Sequence, residues 1–125
     1  MTSYVGSTKH IALQVRDREG TAYTMQLAVA EQQETGTLAV LTPAGEVVQR
    51  FELTHLKKGK DGTRLTCYVS GATVTLVLAH DKNLPELRVS ASVFFPIFEA
   101  SYQLSQAEQQ RFLQWINELG ISVLA

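Results

Sequence analysis

Apolar and polar positions alternate along most of the chain. Ile11, Leu13 and Val15 interleave with Ala12, Gln14 and Arg16, and Tyr23, Met25, Leu27 and Val29 with Thr24, Gln26 and Ala28. The pattern returns at Leu65/Cys67/Val69, at Val74/Leu76/Leu78, and at Leu87/Val89/Ala91/Val93/Phe95. A period of two belongs to a strand that buries one face. Each run is rich in β-branched or aromatic residues, which fit a pleated, half-buried surface. Turn residues separate the runs at 17–20, 32–36, 43–45, 57–62, 70–72 and 81–85, with Asp61-Gly62 a hairpin signal and Pro96 a bend. The pattern predicts about eight strands, roughly 8–16, 21–31, 37–42, 46–55, 63–70, 73–80, 86–95 and 97–104.

The period changes after residue 104. Ser105 and Glu108 form a capping box, and Phe112, Trp115, Ile116 and Leu119 follow at helical spacing. Gly120 reads as a left-handed C′ residue, with Ile121 supplying the apolar contact of a Schellman ending. A helix over 106–119 is expected. Short connections favour an antiparallel meander. The fold class read from the chain is mainly β, a small barrel or strongly curved sheet with one C-terminal helix packed on it. Leu41, Val48, Tyr68, Val77 and Phe94, on the second parity, are the expected platform for that helix.

The 125 residues, 45% of them hydrophobic, suffice for one core, so 1–125 reads as a single domain with residues 1–8 as a loose lead-in. With 11 basic and 12 acidic residues the formal net charge is -1, which argues against general nucleic-acid binding and against an acidic tail. The longest apolar runs, 74–79 and 93–98, are too short to span a bilayer. No basic segment leads into an apolar one at the start of the chain, and Cys67 has no cysteine partner. A cytoplasmic monomer or homodimer, without membrane, metal or cofactor, is the expectation.

A meander changes what the near-zero charge means. Its connections alternate between two ends, and all five lysines fall at one of them: Lys9, Lys57, Lys58, Lys60 and Lys82. Arg64 lies close by, as do His10, His55 and His80. Parity points His55 and His80 inward at the barrel mouth. This basic rim (Lys9, His55, Lys57, Lys58, Lys60, Arg64, His80 and Lys82) would suit an anionic ligand or an acidic protein surface. Phe94 lies on the face away from the core and marks a second candidate partner surface.

Catalytic patterns are absent from the sequence: no nucleophile elbow, phosphate loop, dinucleotide fingerprint or metal-ligand spacing occurs. Cys67 shares parity with Leu65 and Val69 and is expected in the core. A barrel followed by an amphipathic helix invites comparison with the PilZ family, which binds a cyclic dinucleotide. That family's R-x-x-x-R lead and D-x-S-x-x-G motif are missing, with Arg16 and Arg18 only two apart, so no residue is carried over. Fatty-acid-carrier barrels have an early helical lid, which this chain lacks. The first reading is therefore a small non-enzymatic binding module presenting the basic rim. Its alternatives are a carrier holding a small apolar molecule inside the barrel, and an enzyme using His55 or His80 as general base.

Overall fold

The structure is a computed structural model that describes residues 8–81 and 84–124. Eight strands follow one another in order: β1 (Thr8–Arg16), β2 (Ala22–Ala30), β3 (Thr35–Leu41), β4 (Val47–Lys58), β5 (Arg64–Val69), β6 (Ala72–Asp81), β7 (Leu84–Ser92) and β8 (Pro96–Gln103). One helix, α1 (Gln106–Glu118), closes the sequence of elements. Each strand pairs antiparallel with the next, and β8 returns to β1 to close a barrel. β1 begins at Thr8, the bound expected for the first strand.

The closure is narrow. β1 meets β8 only at Arg16↔Gln103. The two strands are staggered, as barrel shear requires, and touch by their final residues. Continuing that register two residues would set Gln14 level with Ser105, where the chain stops being a strand and caps α1. The helix therefore runs beside the part of β1 that has no strand partner on that side. At the other side of the junction Arg18 reaches the Ser101 hydroxyl across the seam at 3.3 Å.

The alternation read from the sequence holds through most strands. Leu13, Val15, Met25, Leu27, Val29, Leu65, Cys67, Leu76, Leu78 and Leu87 all point inward and are buried. They form one core together with Phe112, Trp115, Ile116 and Leu119 of the helix end of the chain. The helix thus packs into the barrel interior from one end, not onto the outer face. The expected platform is a correction: Val48, Tyr68 and Phe94 are exposed, and Leu41 and Val77 only half-buried. An interior-facing stripe buries more apolar area than an outer face dotted with Thr, Gln and Arg would allow.

Strand register shifts in three places, the first between Val40 and Leu41 opposite the start of β4, where Val47 and Val48 are both exposed. In β4 the register shifts between Thr54 and Lys57, and His55 takes a left-handed φ of 55°. This bulge spaces the buried leucines, Leu53 and Leu56, three apart and turns His55 out to solvent. Near the β7–β8 turn the register shifts again between Ala91 and Ser92, and Val93 and Phe95, expected in the core, are exposed.

Both helix ends depart from the sequence motifs. The Ser105 hydroxyl accepts the Glu108 N–H at 3.1 Å, but the Glu108 carboxylate does not fold back as a capping box would have it. It accepts the backbone N–H of Gln14 instead. At the C-terminal end no Schellman turn forms, because Leu119 is extended and Gly120 is not left-handed. The Glu31 carboxylate takes the Gly120 N–H at 2.5 Å and Glu34 takes that of Ser122 at 2.6 Å. Beyond them Ser122 and Leu124 bond to the Lys58 backbone, and Val123 makes a parallel bridge with Lys58.

Candidate functional site

The two ends of the barrel differ in how they are filled. At the end carrying the β2–β3 and β4–β5 turns, α1 and its tail form a plug. Gly120 is held by Glu31, Lys58 Nζ donates to the Leu119 carbonyl at 2.7 Å, and Asn117 lies against Gly62. A Cβ at Gly62 would strike the Asn117 side chain, and its φ of 77° also calls for glycine. Large side chains fill the space above the plug, among them Leu13, Met25, Leu56, Leu65, Phe112 and Ile116.

The opposite end has no plug. Here the barrel opens into a cavity of about 500 Å³. Its floor is Leu38, Leu53, Val74 and Val89, and its walls include Phe51, Val69, Ala72 and Ala91. Val93, Ile97 and Phe98 of the β7–β8 hairpin form its lip. Gln49 and Ser70 are the lining residues with polar side chains. Ala72, Val74, Val89 and Ala91 are small enough to leave room between the larger Leu38, Phe51 and Leu53. The cavity's size lies within the range of small-molecule sites, about 300–1,000 Å³.

The surface around this opening is apolar as well. Val47, Val48, Val93, Phe94, Phe95, Ile97 and Phe98 are all exposed and all lie toward this end. Phe94, at 95% exposure, is almost free of neighbours. Phe94 as a candidate partner surface is thus placed at the tip of the β7–β8 hairpin, beside the cavity lip.

The described residues of the basic rim, Lys9, His55, Lys57, Lys58, Lys60 and Arg64, sit toward the plugged end but do not converge. Lys58 is drawn into the plug through Leu119, so it is not free to face a ligand. His55, expected to point inward, is a correction: the bulge exposes it, and its ring packs on Tyr68 with centroids 5.2 Å apart. Lys57 and His55 lie within electrostatic reach of Glu34. Hydrogen bonds from Ser122, with those two charges adding to them, hold the Glu34 carboxyl below its ordinary value. Asp61, bonded by Thr63 and close to Arg64, is likewise lowered. Lys9 is half-buried, and Lys60, Arg64 and His10 are exposed. The rim is therefore interleaved with carboxylates. Lys82 and the side chain of His80 lie outside the described residues.

Cys67 is fully buried, as its parity indicated, and burial pushes its thiol up to about 12. A thiol held protonated in this way is a core residue, not a nucleophile. A second concavity, of about 470 Å³, lies on the outer face of β1–β3, where Ala12, Ala28 and Ala39 leave room below Arg50 and Arg111. Both arginines there face carboxylates already, Arg50 with Glu52 and Arg111 with Glu108.

Comparison with protein-family models, with curated proteins and with solved structures returned no match to the chain. No helix among the described residues is long and apolar enough to cross a membrane.

Proposed function

We propose that the protein binds a small apolar molecule, or the apolar tail of an amphiphile, in the open end of its barrel. The half-filled interior carries this reading: a cavity of about 500 Å³, walled by aliphatic and aromatic side chains, opens to solvent at the end away from the helix. A barrel that needed only to be stable would fill that space, since an interior void forfeits dispersion contacts and burial. Apolar walls with Gln49 and Ser70 at the margin suit a ligand whose polar end stays at the opening.

The site calls for no covalent chemistry. Binding is driven by removal of apolar surface from water, which electrostatic screening by salt does not weaken and which has a negative heat-capacity change. The reading is tested with N-phenyl-1-naphthylamine, whose fluorescence rises in apolar surroundings. Saturable binding at one site per chain is expected, with Ala91→Phe reducing affinity at least tenfold while leaving the circular dichroism unchanged. Uptake that Ala91→Phe does not alter would overturn it.

A second reading, an anionic partner at the plugged end, rests on Lys9, Lys57, Lys60 and Arg64 lying toward the same end of the barrel. Glu31, Glu34 and Asp61 among them make it the weaker of the two.

A further inference from the structure

We infer that the β7–β8 tip seats on a neutral lipid surface and that the cavity takes its ligand directly from there. This rests on the cavity reading and adds the source of the ligand.

Three observations point to lipid. First, the six residues 93–98 (Val-Phe-Phe-Pro-Ile-Phe) carry no polar side chain. The tip itself thus offers apolar surface alone, and its polar groups stand back from it, as in a segment that enters a lipid interface. Second, the tip turns part of its own backbone inward. Val93 N–H donates to the Phe95 carbonyl at 3.3 Å, and Pro96 has no N–H to satisfy. Unsatisfied backbone groups are what make a loop costly to place in hydrocarbon. Third, Val93, Ile97 and Phe98 belong at once to the exposed tip and to the cavity lip. A ligand passing from a bilayer into the cavity would stay against apolar surface throughout.

Charge decides which lipid surface. Around the opening Asp17, Glu19, Glu46 and Glu99 stand against Arg16, Arg18 and Arg50, and every lysine of known placement lies toward the other end. A balanced field gives no attraction to anionic headgroups. The tip is suited to zwitterionic lipid, held by Phe94 and Phe95 entering the interface.

The test is sedimentation of the full chain with sucrose-loaded phosphatidylcholine vesicles, alongside the N-phenyl-1-naphthylamine titration. Wild type is expected to bind these vesicles, with no gain from added phosphatidylserine and no loss in 0.5 M salt, where the screening length falls to about 4 Å. Phe94→Ser/Phe95→Ser, both exposed and so harmless to folding, is expected to lower vesicle partitioning at least tenfold while probe affinity stays within twofold. Ala91→Phe is expected to do the reverse. Wild-type probe uptake without vesicle binding leaves the cavity reading standing and overturns the lipid surface. Vesicle binding without uptake overturns the cavity reading and transfer with it. Binding that requires phosphatidylserine, or a tip whose substitution changes only the oligomeric state, overturns the lipid surface in favour of a charged or a self-associating one.

Discussion

The Glu108 carboxylate accepts the backbone N–H of Gln14 at 2.6 Å, across 94 positions of sequence. One oxygen thereby caps the free edge of β1, while the other takes Arg111 at 2.6 Å. Glu108 N–H is itself held by Ser105. The start of the helix is tied to the strand that β8 leaves uncovered, and the helix stripe enters the barrel from there.

Glu108→Ala is expected to cost about 1–3 kcal/mol in chemical denaturation, the usual loss when a charge-assisted bond goes and a backbone donor is left unpaired. pH checks the same contact. Enclosure raises the Glu108 carboxyl, but the bonds from Gln14 and Arg111 outweigh it and the net shift is downward from 4.5. A lowered folded value means stability present above 4.5 and lost as pH falls through the folded value. Wild type should lose stability below pH 4.5 more steeply than Glu108→Gln. Parallel curves would remove Glu108 from the closure.

Cys67 sets the opposite edge of the pH profile. Its folded value near 12 lies above the ordinary 9.0, so the unfolded chain ionises first. Stability falls between pH 9 and about 12, by at most about 1.4 kcal/mol per pH unit from this group. Cys67→Ala is expected to flatten that limb while lowering stability at pH 7. An unchanged alkaline slope would show that the thiol is not enclosed.

The Trp115 indole N–H is buried with no acceptor among the described residues, while its ring stacks on Phe112 at 6.3 Å. Trp115→Phe keeps a ring in the plug and removes the orphaned donor. Its cost in thermal or urea unfolding should be under about 1.5 kcal/mol, the scale of tolerated apolar swaps. Trp115→Ala should cost about 3–5 kcal/mol. Equal losses for both would mean that the N–H has a partner.

Charge reversal separates the two binding readings. Lys57→Glu/Lys60→Glu alters the plugged end, away from the cavity lining. Probe affinity is expected to stay within twofold of wild type in fluorescence titration. A tenfold change would link that end to the site.

Much of the barrel was legible because strand patterning is local. Leu65, Cys67 and Val69 declare their shared face by parity alone, and Gly71 marks a tight turn that the structure shows with left-handed φ values of 49° and 86° at Ser70 and Gly71. Parity alone points His55 inward for the same reason. A bulge adds one unpaired residue, and nothing in the sequence marks it when the left-handed position is histidine and not glycine. Local spacing ties Glu108 to its own helix, because the nearer donor is the only one visible along the chain.

The cavity lay beyond the reach of parity. Ala91 and Leu87 both read as inward, and only the arrangement of eight strands sets the small residues together at one end. The alternation of side chains and the helical stripe determined eight strands, one helix and an apolar interior. The tertiary structure decided which end the helix fills and which it leaves open. Strand shear makes that choice, since it joins β1 to β8 at a single pair and leaves β1 an edge that the helix covers from one side only.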